Sequence, residues 1–106
     1  MIRSIQVIVL VAVLCLTAAA AYAQGAGIEW EILNQEAMEL YRTGKYDRAI
    51  VVAKKALEVA EKNVGPNHPA VATSLNNLAA LYRATKRIVE AAKLEERAAR
   101  IRAINR

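Results

Sequence analysis

One feature of this sequence constrains its fold more than any other: a stretch that repeats itself, without a gap, 42 residues later. Trp30–Asn63 laid on Ala72–Asn105 matches Leu33 with Leu75, Asn34 with Asn76 and Ala37 with Ala79. It continues with Thr43 and Thr85, Ala49 and Ala91, Ala56 and Ala98, and Asn63 and Asn105. Leu40 with Tyr82, Tyr46 with Ile88, Lys55 with Arg97 and Val59 with Ile101 are conservative matches. Self-similarity at a fixed period marks an architecture built by stacking one supersecondary unit.

The unit is helical. Leu33, Ala37 and Leu40 fall at the three- and four-residue steps that line one helix face, with Trp30 and Met38 at its edge. That predicts a helix over Glu29–Thr43, ended by Gly44, a residue that accepts a positive φ. A second helix is predicted over Tyr46–Asn63, packing through Ala49, Ala53, Ala56, Leu57 and Ala60. Its outer face carries Lys54, Lys55, Glu58 and Glu61, with pairs such as Lys54 with Glu58. Gly65, Pro66 and Pro69 then break the chain; Pro69 suits a first helical turn, where its missing N–H costs nothing. A third helix is predicted over Ala70–Ala84, with Leu75, Leu78, Ala79 and Tyr82 inward. A fourth is predicted over Ile88–Ile104, with Ala91, Leu94, Ala98 and Ile101 inward. No segment alternates with period two for long, so no strand is expected.

The first residues read as an address. Arg3 gives a positive start, Val7–Leu16 is continuously apolar, and the segment ends Ala21-Tyr22-Ala23, with small residues at both recognition positions. This is the three-part form of a secretory signal peptide over residues 1–23. The alternative is an uncleaved membrane anchor over residues 5–23, which approaches the length needed to span a bilayer. A lipid on Cys15 is rejected because the large Leu14 precedes it. Cys15 is the single cysteine, so a chain cut after Ala23 has no disulfide, thiol chemistry or cysteine metal site. Residues 24–29, with two glycines, read as a flexible leader, and residues 30–106 as the repeat domain. Cleavage would leave 83 residues, near the size where one core is marginally stable.

The formal charge of +5 is uneven: residues 83–106 carry eight basic and three acidic side chains, residues 24–62 six and seven. A basic face can meet lipid, nucleic acid or an acidic protein. For an exported chain no nucleic-acid partner is expected, and a solvated helix face accounts for the charge. Enzyme chemistry has no support: there is no serine–histidine–acid set, no glycine-rich phosphate loop, and Glu36 and Glu39 stand at helical spacing as solvated charge does. The single histidine, His68, lies between Asn67 and Pro69 and reads as a loop or cap residue; with no second histidine nearby, no metal or cofactor is expected.

The spacing Ala37, Leu40, Gly44, Tyr46, Ala49, Ala53, Ala56 resembles the helix–turn–helix signature of the tetratricopeptide repeat family. The 42-residue period, with G-P-N-H-P leading into A-T-S-L-N-N-L-A-A-L-Y, is similar to the longer variety found in kinesin light chains. The resemblance implies an all-α fold of two helix–turn–helix repeats, about 30–63 and 72–105, forming a short α-solenoid. It departs in the second repeat, where Lys86 replaces the turn glycine, Ile88 the aromatic and Glu95 an alanine-like residue. Glu95 suits the end of an array, since terminal repeats need a polar outer surface.

In that family the first helix of each repeat lines a concave groove for a peptide or protein segment. The positions this implies are Asn34, Gln35, Met38, Tyr41 and Arg42, then Thr73, Asn76, Asn77, Ala80 and Arg83. Asparagine carries donors and an acceptor for an extended backbone, tyrosine an apolar plate with a polar tip, and arginine a fork for carboxylates. Asn77 stands where some members grip a terminal carboxylate, but the lysines of that clamp are missing. Asn76-Asn77 also suits bonds between adjacent helices, and Trp30 suits a cover over the end of the core. The expected protein is therefore an exported, periplasmic or secreted, non-catalytic interaction module. The alternatives are an adaptor tethered by residues 5–23 and a structural element that self-associates through exposed helix ends.

Overall fold

A computed structural model describes residues 26–106; the signal or anchor expected at residues 1–23 lies outside them. Four α-helices follow one another: α1 (Ile28–Arg42), α2 (Tyr46–Val64), α3 (Pro69–Ala84) and α4 (Ile88–Ile104). Each boundary falls within one residue of its sequence-based expectation. The helices pack in chain order, α1 on α2, α2 on α3 and α3 on α4, with a slight contact between α1 and α3. That is two helical hairpins stacked side by side, with α2 and α3 in the middle.

The residues that repeat are the ones that build this arrangement. Ala37, Ala49, Ala56, Ala79, Ala91 and Ala98 are all buried at 3% exposure or less, because small side chains let the helices approach closely. Thr43 and Thr85 each close a first helix. Their hydroxyls donate to the carbonyls of Glu39 and Leu40 and of Leu81 and Tyr82, respectively. Asn63 and Asn105 each tie the end of a second helix to the segment entering its own hairpin. Asn63 Nδ2 donates to the Ala26 carbonyl at 2.6 Å and Asn105 Nδ2 to the Asn67 carbonyl at 2.7 Å. The first of these bonds, with the burial of Ala26 and Gly27, fixes the end of the stretch that reads as a leader from sequence.

Both hairpin turns close in the same way. Gly44 N–H donates to the Tyr41 carbonyl and Lys45 N–H to that of Leu40; Lys86 and Arg87 repeat the pair with Arg83 and Tyr82. This is the Schellman arrangement, which needs a left-handed residue just past the helix. Gly44 supplies it at φ 80° and Lys86 at φ 65°. The missing glycine therefore leaves the turn unchanged and places a lysine in a conformation disfavoured for side chains with a Cβ.

His68 caps α3, its Nδ1 accepting from Ala70 N–H at 3.0 Å, with Pro69 in the first turn. The pair of Lys54 with Glu58 is not among the ion pairs of the described residues. Lys54 Nζ instead lies 6.0 Å from the centre of the Tyr82 ring, and Arg87 Cζ lies 4.3 Å from it. An exposed helical ion pair contributes only a few tenths of a kcal/mol, so an aromatic face competes with it.

The core has two centres. Ala37, Ala49, Ile50, Ala53, Leu78, Ala79, Leu81, Tyr82 and Ala91 form one; Ala60, Val71, Leu75, Ala98 and Ile101 belong to the other. Leu57 and Leu94 pack against both. Helix α3 buries Ala70, Val71, Ala72, Ser74 and Leu81 in addition to its expected residues, because it has a neighbour on three sides. Among the described residues, no buried side-chain nitrogen or oxygen lacks a partner. No helix among them is long and apolar enough to cross a membrane.

Candidate functional site

The first helices of the two hairpins, α1 and α3, touch along a shallow concave face. Two polar contacts set their spacing. Trp30 Nε1 donates to the buried Ser74 hydroxyl at 2.7 Å, and Asn77 Nδ2 donates to Asn34 Oδ1 at 3.4 Å. Trp30 thus covers the second core centre, and the Asn34–Asn77 bond joins adjacent helices.

Between these helices lies a notch of about 170 Å³ lined by Ala37, Met38, Tyr41, Asn77, Ala80 and Leu81. Its lining is almost wholly apolar. A broader depression over Gln35, Met38, Glu39, Tyr41 and Arg42 adjoins it on α1. A third, of about 180 Å³, lies toward α4 and is lined by Asn76, Ala79, Ala80, Arg83 and Glu95. Met38 and Tyr41 belong to the first two hollows, and Ala80 to the first and third. Met38 and Tyr41 are 61% and 45% exposed, and side by side at the notch they form a small contiguous apolar patch. The Tyr41 ring is braced by Tyr46, the centroids 5.6 Å apart and the rings tilted by 54°.

The polar residues of this face are less free than their types suggest. Arg42 holds Glu39 through three hydrogen bonds of 2.7–3.2 Å, and this carboxylate raises the guanidinium pKa further above its ordinary value. Arg83 Nε donates to Glu95 at 2.6 Å, across from α3 to α4. With its amide oxygen turned toward α4, Asn76 accepts from both terminal nitrogens of Arg102 at 2.6 and 2.9 Å. Thr73 bonds the Pro69 carbonyl at 3.3 Å and stands apart from the three hollows. Asn77 spends one N–H on Asn34 and keeps a second donor and an acceptor.

Of the sequence-derived positions, the fold therefore gathers Met38, Tyr41, Asn77 and Ala80 around the notch and places Gln35 and Arg42 in the depression beside it. It turns Asn76 and Arg83 toward the α4 end and leaves Thr73 at the rim. Leu81 is a lining residue absent from that set; its three-residue step from Leu78 is the signal that would have found it. Among the described residues, no three of His, Cys, Asp and Glu gather where they could hold a metal.

The comparisons agree with the geometry. No curated protein sequence matches the chain at a significant level. A family profile described as tetratricopeptide repeat matches residues 31–103, which takes in all of α2 and α3 and most of α1 and α4. With paired helices in register at a 42-residue period, Schellman turns at equivalent positions and that match, the chain belongs to the tetratricopeptide repeat family.

Proposed function

We propose that the α1–α3 notch receives one large apolar side chain of an extended protein or peptide segment. The single observation that carries this reading is the apolar hollow bounded by the exposed Met38 and Tyr41. Tetratricopeptide repeats mediate protein–protein interaction, and the family is typically non-catalytic. The finer assignment is as follows. Met38, Tyr41, Ala80 and Leu81 take the side chain, and the remaining donor and acceptor of Asn77 hold the segment's backbone. Gln35 borders the entrance. Arg42 and Arg83 are already paired with Glu39 and Glu95, so an acidic residue in the ligand must compete with those carboxylates, and apolar fit dominates selection.

Selection of displayed peptides on the purified protein tests this. Enriched peptides should share one large apolar residue, and Tyr41→Ala combined with Asn77→Ala should weaken their binding at least tenfold while the circular dichroism spectrum is unchanged. Peptides that bind the double variant as well as the parent would move the site elsewhere. We further propose that residues 1–23 direct export, and that the protein works in the periplasm or outside the cell. A mature N-terminus near Gln24 by mass spectrometry supports this; an intact N-terminus supports the tethered alternative.

A further inference from the structure

We propose that copies of this chain stack head to tail, α1 of one copy seating on α3 and α4 of the next, where the first helix of a third repeat would lie. The 42-residue equivalence makes the geometry explicit. Inside the chain, α3 docks on the α1–α2 hairpin. The same operation applied once more asks what docks on α3–α4, and α1 is the helix equivalent to α3.

Charge distinguishes the two ends. On α1 the outward positions equivalent to the buried Val71 and Leu81 are the exposed Glu29 and Glu39. At the other end, the positions equivalent to Tyr41, Ala60 and Val64 are Arg83, Arg102 and Arg106. Inside the chain, Tyr41 and Leu81 line one notch, so stacking brings Glu39 of one copy to Arg83 of its neighbour. Val71 and Ala60 share a core centre, with Val64 packed against it, so Glu29 comes to Arg102 and Arg106. The amide contact persists as well, since Asn34 with Asn77 becomes Asn76 with Gln35. Glu36 comes toward Glu95, a repulsive pairing; Arg83 then stands between Glu95 of its own chain and Glu39 of the next copy, and Glu39 exchanges or shares its own partner Arg42. The two exposed isoleucines of α1, Ile28 and Ile32, are covered in the same step.

Such a contact joins two different surfaces, so it is not satisfied within a dimer and propagates into open rows or closed rings. It rests on exposed ion pairs, which are individually weak and screened by salt. Self-association is therefore concentration- and salt-dependent. It does not depend on the notch binding a peptide.

Sedimentation velocity of the purified protein over a hundredfold concentration range tests the inference. The mean sedimentation coefficient should rise with concentration at low salt and fall back in 0.5 M salt, following the screening length of roughly 3–5 Å at such ionic strengths. Glu39→Arg and Arg83→Glu should each sediment as monomers, because each opposes like charges at every junction. Their equimolar mixture should recover the concentration-dependent rise, because each junction then pairs opposite charges. Glu29→Arg, which disturbs no ion pair among the described residues, should weaken association several-fold and guards against misfolding of Arg83→Glu. A monomeric parent at every concentration, or folded variants whose mixture stays monomeric, would overturn the inference.

Discussion

Helices α1 and α3 are written from the same 42-residue pattern, yet α1 fully buries one residue, Ala37, and α3 buries nine. The difference lies in what surrounds them. Helix α3 stands between α2 and α4 and also touches α1, so Val71, Ser74, Leu78 and Leu81 all face protein. Among the described residues helix α1 has no neighbour on the equivalent side, and the residues there are Glu29, Ile32, Glu36 and Glu39, all exposed. Three of these four changes replace an apolar residue by a glutamate. A helix side left without a packed neighbour must be soluble, and the glutamates meet that need without disturbing the face built on Leu33, Ala37 and Leu40.

The comparison can be tested at equivalent positions. The largest expected difference is between Leu75 and Leu33, matched in the repeat. Leu75 is completely buried, so Leu75→Ala should cost about 3 kcal/mol, as removal of a core leucine does. Leu33 is half-buried, and Leu33→Ala should cost about 1 kcal/mol, in proportion to the smaller area it hides. Urea unfolding of both variants measures the contrast; equal losses would mean that the end helix is as well packed as the inner one.

The next difference is smaller and opposite in sign. Gly44 and Lys86 occupy the same turn position with positive φ. Gly44→Ala has open space for its methyl group, but the left-handed backbone should cost about 1 kcal/mol. Lys86→Gly removes that strain against the greater chain entropy of glycine, for a net gain of about 0.5 kcal/mol. Melting curves should therefore shift down for the first and up for the second.

The smallest effect concerns the turn of the second hairpin alone. Arg87 holds Glu90 through paired hydrogen bonds and keeps its carboxyl below the ordinary carboxylate range. A carboxyl depressed on folding stabilises above its unfolded pKa, and that contribution is lost as pH falls through the folded value. Glu90→Gln should slightly flatten the acid limb of the stability–pH profile and leave neutral behaviour little changed. An unaltered profile would show that this half-exposed pair contributes nothing.

Much of the candidate site was readable before the fold was known. Met38, Tyr41 and Asn77 follow from the repeat register and the resemblance it supports. What could not be read was how the polar members are already used. Arg42 and Glu39 are three residues apart on one helix, so their pairing was within reach of sequence reasoning. Arg83 with Glu95 and Asn76 with Arg102 join different helices, and only their packing brings them together.

The sequence by itself determined the four helices, their boundaries, the alanine seam and the doubling of the hairpin, because periodicity, breakers and caps act over a few residues. The tertiary structure alone decided which equivalent residues are buried, which charges find partners and where the hollow opens between Met38 and Ala80. Those properties belong to the neighbours of a helix, and among the described residues two copies of one pattern have different neighbours: α3 packs on α1, α2 and α4, and α1 on α2 and α3 alone.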